Sequence, residues 1–165
     1  MGSQPADWDD LESTNDVAHL FNANNALAIA GESSSSSGIR KSMHKILYCL
    51  ENYQTTIVAC ETGSGKSVPI VAELLEWGWQ TKGLIGVVVS RRVAAMSLAS
   101  EVAQARGEML GDSVGYDVQL MENVSTNTKI KYMTEATVLK ELMKDPLLTE
   151  YAVLLVEDAH ERRLL

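Results

Sequence analysis

The order of elements in this 165-residue sequence predicts an α/β fold with a mainly parallel sheet covered by helices on both faces. Three observations predict it. Short β-branched runs alternate with stretches that repeat apolar residues at helical spacing. A Gly-rich turn joins one such run directly to a helix. No apolar run approaches the roughly 20 residues that a membrane span requires.

Residues 1–38 precede the first periodic segment. They contain Asp7, Asp9, Asp10, Glu12, Asp16 and Glu32 but no Lys or Arg, and close on Gly31-Glu32, Ser33 to Ser37 and Gly38. Such a composition buries too little apolar area to offset ordering entropy, so it reads as a disordered, acidic and Ser-rich leader. The apolar stretch Val17 to Ala30 is its one candidate for a helix or a docking segment.

Order is expected from Ile39. Met43, Ile46, Leu47 and Leu50 recur at the i, i+3, i+4, i+7 spacing of one helical face, predicting a helix over 40–52. Thr55 to Cys60 is a short β-branched strand leading into Glu61-Thr62-Gly63-Ser64-Gly65-Lys66-Ser67. Val71, Leu74 and Leu75 then resume helical spacing up to Trp77-Gly78. Leu84 to Val89 is a strand of the buried type, and Arg92 to Arg106 is an Ala- and Met-rich helix ended by Gly107. Val114 to Leu120 and Thr128 to Met133 read as strands around a polar connection. Ala136 to Met143 is a helix stopped by Asp145-Pro146, and Ala152 to Val156 a last buried strand.

A net charge of −8 argues against a nucleic-acid partner until its distribution is considered. Six acidic residues sit in the leader, which leaves 14 basic against 16 acidic in the rest, nearly balanced. Met1 to Asp10 has neither the basic and apolar regions of a secretory signal nor the Arg-rich pattern of a transit peptide, so an intracellular location is expected. Cys49 and Cys60 are too few, and too far from other ligand types, for a zinc site or a disulfide framework. They are expected to be buried, reduced thiols.

The turn at 60–67 follows the phosphate-loop pattern G-x-x-x-x-G-K-[ST], with Gly63 inside it and Gly65, Lys66 and Ser67 at its end. Glycines let backbone N–H groups turn inward around phosphates, the Lys reaches the terminal phosphates, and the hydroxyl holds Mg²⁺. A helix that starts there points its positive end and its unpaired N–H donors at the anion. The strand before and the helix after support the motif. Its first position is Cys60 instead of Gly, and a Cβ there crowds the turn, so weakened nucleotide binding is expected. The loop identifies a P-loop NTPase without naming the work done with the nucleotide.

Cys60-Glu61-Thr62-Gly63-Ser64-Gly65-Lys66-Ser67 resembles the Walker A sequence of DEAH-box ATP-dependent RNA helicases, GETGSGK[ST]. Ser90-Arg91-Arg92-Val93-Ala94-Ala95 resembles the next motif, TQPRRVAA. Val114-Gly115-Tyr116, followed by Tyr132-Met133-Thr134-Glu135-Ala136, resembles VGY and then [YF]-[ML]-TDG. Glu157-Asp158-Ala159-His160-Glu161-Arg162 resembles DEAHER, the signature that names the family, at the end of a strand where a Walker B motif belongs. These four ordered matches cover 39–165. They imply a RecA-like three-layer sandwich, the first of the family's two such domains, truncated after the Walker B strand.

The resemblance also implies roles for individual residues. Gly63, Ser64, Gly65, Lys66 and Ser67 would bind ATP, with Lys66 on the β/γ-phosphates and Ser67 on Mg²⁺. Glu157 would stand where the family's Asp helps hold the metal, and Asp158 where its Glu activates the attacking water. The two identities are exchanged, lengthening the metal-side carboxylate by one methylene and shortening the water-side one. His160 would couple the nucleotide site to the rest of the motor. Arg91, Arg92 and Thr134 would touch the sugar–phosphate backbone of RNA, contacts that position a strand without reading its sequence.

Other departures accumulate. Glu101 stands where the family usually has an Arg stacked on adenine, a cation–π contact that a carboxylate does not make. Val88-Val89-Ser90 replaces TQP, Glu135-Ala136 replaces Asp-Gly, and Gln119 stands where an Arg often follows VGY. The family closes two RecA-like domains over ATP, and the Ser-Ala-Thr segment and second domain have no counterpart in these residues. The expectation is a helicase portion that does not unwind RNA by itself. Spliceosome-associated members carry the same motifs, which makes nuclear pre-mRNA processing and ribonucleoprotein partners one setting; other members act in ribosome assembly. The alternative reading is a degenerate, non-catalytic P-loop module that binds nucleotide weakly or serves as an interaction element.

Overall fold

The computed structural model describes residues 26–30, 36–59 and 67–161, with side chains from residue 42 onward. The chain divides into two compact units, Met1–Ile70 and Val71–Leu165.

In the first unit, strand β1 (Ala26–Ala30) pairs in parallel with β2 (Thr55–Ala59), Ala26 standing opposite Thr55 and Ala30 opposite Ala59. Parallel neighbours need a long crossover, and helix α1 (Ser36–Asn52) lies in it. Of the expected apolar face, Met43, Ile46 and Leu47 are each 4% exposed or less and Leu50 is half-buried, while Cys49 is buried beside them. Burial pushes the Cys49 thiol pKa up, as expected for an inert buried cysteine.

Two elements correct the expectation of a leader over 1–38. β1 lies inside it as a strand, where a helix was the candidate, and α1 begins at Ser36 instead of residue 40. The β1 ladder depends on β2, 29 positions along the chain by the register Ala26 to Thr55, so local composition carried no sign of it. Once the Met43–Ile46–Leu47 face is buried, each residue added at the helix N-terminus gains a hydrogen bond without a new nucleation step. That extends α1 through poor helix formers such as Ser37 and Gly38. The remaining leader residues lie outside the described ones.

Helix α2 (Ser67–Glu76) follows the phosphate loop and buries Ile70, Val71 and Leu74. A short 3₁₀ turn, Trp79–Thr81, comes next, with Lys82 Nζ 4.2 Å from the centre of the Trp79 ring.

The second unit is built on a five-stranded sheet. Its strands are β3 (Leu84–Val89), β4 (Val114–Val118), β5 (Met121–Asn123), β6 (Ile130–Thr134) and β7 (Tyr151–Val156), in spatial order β5-β4-β6-β3-β7. Only β5 runs antiparallel. The fold is thus α/β with a mainly parallel sheet, as the alternation of strands and helices predicted. Helix α3 (Arg92–Ala105) packs against β4 and β6, and α4 (Glu135–Lys144) follows β6 directly. On the α4 side, Val88, Met133 and Val138 form a core with Leu142, Leu148, Tyr151 and Leu154 against it. The alternate residues of the same strands, Val87 and Tyr132, face the opposite side and are fully buried too.

The stop at Gly107 is a Schellman cap. Glu108 N–H donates to Ala103 O and Gly107 N–H to Gln104 O, each at 3.0 Å, with Gly107 at φ +68°. Gly115 is required for a different reason: a Cβ there would stand 2.4 Å from Asn123 O on the neighbouring strand.

The strand expected over Val114 to Leu120 ends at Val118, turns through Leu120 at φ +71°, and returns as β5. Met121-Glu122-Asn123 has no β-branched alternation, so only its main-chain pairing with Val118, Asp117 and Tyr116 reveals it. β6 starts at Ile130, not Thr128, because the Thr128 hydroxyl closes a turn, donating to Asp112 O and accepting from Ser125 N–H, both at 2.9 Å. β7 was expected to be buried. It is half-buried instead, as the last strand of its sheet among the described residues.

Candidate functional site

In open α/β sheets, ligands bind beyond the carboxyl ends of the parallel strands. β3, β4, β6 and β7 all point the same way, and the segments that leave their carboxyl ends carry the sequence candidates of this unit. Arg91 and Arg92 follow β3, Thr134 ends β6, and Glu157, Asp158 and His160 follow β7. The sheet register brings together residues that are up to 66 positions apart between Arg91 and Glu157.

Arg91 caps the N-terminus of α3 with extended backbone, φ −123° and ψ 133°, and its carbonyl accepts from Ala95 N–H at 3.0 Å. Its side chain is exposed. Arg92, also exposed, reaches across to the β4–β5 turn, where Nη1 donates to Gln119 O at 3.5 Å. Thr134 is different. It stands at the N-cap of α4, is only 6% exposed, and its hydroxyl lies 3.3 Å from the Thr137 hydroxyl. Thr137 in turn donates to Asp117 O at 3.2 Å. The Thr134–Thr137–Asp117 chain ties α4 to β6 and β4. Thr137 was not singled out in the sequence, where it reads only as a polar residue on a helix.

Glu157 continues the ladder one residue beyond β7, its N–H donating to Val88 O at 2.9 Å. Its side chain is half-buried, and its Oε1 is buried without a hydrogen-bond partner. Asp158 is exposed and adopts left-handed backbone at φ +49°, a region that short Asp and Asn side chains tolerate best after Gly. Its carbonyl accepts from Glu161 N–H at 2.8 Å, opening the 3₁₀ turn Ala159–Glu161 in which His160 is exposed. Arg162 lies outside the described residues.

Tyr132 opens the segment that resembles [YF]-[ML]-TDG, and sequence reading assigned it no role of its own. It is 0% exposed, and its hydroxyl is buried with no partner. Burial, then the negative charges of Glu157 and Glu101, push its phenol pKa well above the usual value. Both carboxylates therefore act on this hydroxyl. Nothing in residue order signals that; only the sheet places them together.

Of the phosphate loop, Cys60, Gly63, Ser64, Gly65 and Lys66 lie outside the described residues. Their flanks are described: β2 ends at Ala59, and Ser67 is the first residue of α2. The strand that should precede the motif and the helix that should follow it are both present. Among the described residues no group of three or more His, Cys, Asp or Glu side chains is arranged to hold a metal. A P-loop site does not need one, because Mg²⁺ takes one or two protein oxygens and completes its shell with phosphates and water. Glu157 fits that demand as a hard carboxylate standing one residue beyond the end of β7. No described helix is long and apolar enough to cross a membrane.

A parallel α/β sheet with charged side chains gathered at its carboxyl end, and a phosphate-loop sequence flanked by a strand and a helix, are the parts of a nucleotide-binding α/β protein. Comparison with known proteins narrows the class. The chain is 44% identical over 126 residues to the human protein named probable ATP-dependent RNA helicase DHX35, and 42% identical over 125 residues to its Caenorhabditis elegans homolog. It is 43% identical over 119 residues to ATP-dependent RNA helicase DHX33 of Drosophila melanogaster. These matches take in 72–75% of the chain but only 17–18% of each relative, so the chain spans less than a fifth of their length. No protein-family model matches it. The chain is a homologue of the DEAH-box ATP-dependent RNA helicases.

Proposed function

We propose that this chain is the ATP-binding portion of a DEAH-box RNA helicase, in which ATP binding and hydrolysis drive RNA remodelling in the full-length protein. The observation that carries the reading is the convergence of Arg91, Arg92, Glu157 and Asp158 at the carboxyl end of one parallel sheet, together with the helicase identity of the relatives. Gly63, Ser64, Gly65, Lys66 and Ser67 bind the triphosphate through backbone N–H groups, the Lys66 ammonium and the Ser67 hydroxyl. Glu157 is a carboxylate ligand for Mg²⁺. The metal, when bound, neutralises charge on the phosphates. Asp158 accepts a proton from the attacking water, with a shorter reach than a Glu would have, and His160 relays the state of the site to the rest of the protein.

RNA lies along the accessible cations Arg91 and Arg92, held by its backbone. Thr134 contributes by fixing the start of α4, since its own hydroxyl is engaged with Thr137. Nuclear pre-mRNA processing is the setting suggested by the resemblance to spliceosome-associated members.

The test is a calorimetric titration of Mg·ATP into the full chain and its Lys66→Ala variant. Saturable binding is expected for the first and none for the second. Equal heats in both would refute the reading. A second reading, a nucleotide-binding module without hydrolysis, is favoured by the short, exposed Asp158 on left-handed backbone. Binding without phosphate release in the full-length protein would select it.

A further inference from the structure

Of the buried side-chain polar atoms without partners in the second unit, two, the Tyr132 hydroxyl and Glu157 Oε1, belong to side chains on one face of the same sheet. In register, Tyr132 on β6 stands opposite Val87 on β3, and Val87 stands opposite Leu155 on β7. Side chains opposite one another in parallel strands point to the same face, and so do residues two apart along a strand. Glu157 follows Leu155 by two, and its N–H bond to Val88 O carries the pleat that far. Tyr132, Val87, Leu155 and Glu157 therefore share a face, with β3 between phenol and carboxylate and Glu157 one same-face position further along the sheet than Tyr132. Adjacent strands lie about 5 Å apart, so a tyrosine leaning across one intervening strand approaches the Glu157 carboxylate. Both the Tyr132 hydroxyl and Glu157 Oε1 are buried and unpartnered. Each such group left unsatisfied costs roughly 1–3 kcal/mol, and one is a donor while the other is an acceptor.

We infer that Tyr132 is a positioning residue for the nucleotide site: its hydroxyl is linked by hydrogen bonds through one bridging water to Glu157 Oε1, and so fixes which carboxylate oxygen faces the metal. The link leaves Oε2 free as the ligand atom and removes both orphaned groups at once. The longer Glu at position 157 is part of the arrangement, because a carboxylate nearer the backbone would stand further from the phenol. Glu101 on α3 also contributes negative charge near the Tyr132 hydroxyl, but its side chain is exposed. The inference rests on the reading of Glu157 as a Mg²⁺ ligand, and its test separates the two.

The full chain is labelled with ¹³C at tyrosine Cζ, and the Tyr132 signal is identified by its loss in Tyr132→Phe. In Glu157→Leu, which removes the acceptor, the signal is expected to move; an unmoved signal overturns the inference whatever else is found. Separately, binding of a non-hydrolysable ATP analogue is followed against Mg²⁺ concentration. Tyr132→Phe is expected to raise the half-saturating Mg²⁺ concentration about fivefold, the size of one net hydrogen bond, and to add nothing in the Glu157→Leu background. An unshifted midpoint in Tyr132→Phe, with higher thermal stability, would mark the hydroxyl as an isolated buried group and overturn the positioning role. If Glu157→Leu itself leaves the Mg²⁺ dependence unchanged while the NMR signal moves, the ligand assignment of Glu157 fails and the Tyr132–Glu157 link stands.

Discussion

Lys131 holds together three polar side chains on the α4 side of the sheet, and its removal has a calculable consequence. Its ammonium bonds Glu141 Oε1, lies 3.9 Å from Asp117 Oδ2, and sits 5.7 Å from the centre of the Tyr151 ring. Tyr151 donates to the second Glu141 oxygen at 2.5 Å. The three charged side chains are 12%, 21% and 27% exposed, so neither bulk water nor a dry core describes them. In Lys131→Met the aliphatic volume is kept, but two half-buried carboxylates are left with no cation between them. Breaking a fully buried pair costs about 3–5 kcal/mol and an exposed one under about 1. At this exposure the expected loss is about 2 kcal/mol at pH 7, or a fall in Tm of roughly 6 °C for a chain of this size.

The same variant has a signature in pH. Burial, as the leading cause, already raises the Asp117 carboxyl above its unfolded value, and Lys131 opposes that rise. A carboxyl raised in the folded state contributes stability that is present below its unfolded pKa and lost as pH rises through its folded pKa. Without Lys131 the folded value climbs further, so the penalty at neutral pH grows and disappears on acidification. Urea unfolding of the full chain and of Lys131→Met at a series of pH values measures it. The difference is expected to shrink to under about 1 kcal/mol near pH 4.5. A difference that stays constant from pH 4.5 to 8 would refute the claim that charge compensation, rather than packing, is what Lys131 supplies.

Two further outcomes are expected. Arg91→Ala and Arg92→Ala should each weaken single-stranded RNA binding equally across sequences and lower the slope of log K against log salt by about 0.7 per lost phosphate contact; reduced affinity with an unchanged slope would mean that neither touches a phosphate. Asp158→Glu should cost under about 1 kcal/mol in folding, because position 158 is at φ +49° and a longer side chain is less at ease in left-handed backbone; thermal melts showing equal or higher stability would contradict that.

What the sequence made legible is whatever local pattern encodes. The apolar face of α1, the buried run of β3 and the glycine stop of α3 were all visible, because each is written in residues within a turn or two of one another. β1 and β5 were not, since a three- or five-residue strand with weak alternation is defined by its ladder to a distant partner. The candidate site divides the same way. Arg91, Arg92, Glu157 and Asp158 stood out as motif residues. The engagement of Thr134 with Thr137, and the shared face of Tyr132 and Glu157, follow only from sheet register, which no single stretch of chain specifies.

The exchanged carboxylates acquire a different meaning once their backbone is known. Read from the sequence, Glu157-Asp158 in place of Asp-Glu looks like relaxed constraint. In the structure, position 157 extends the β7 ladder on the sheet face that also carries a buried, unpartnered tyrosine hydroxyl, where the longer side chain has further reach. Position 158 occupies left-handed backbone, where the shorter side chain is the less strained one. Each residue thus suits the conformation it occupies better than its counterpart would, and reverting the pair exchanges two fitted side chains for two strained or shortened ones. Any gain in catalysis from restoring Asp-Glu must exceed that local loss, so the single reversions are expected to be less informative than the double one made together with a Tyr132→Phe control.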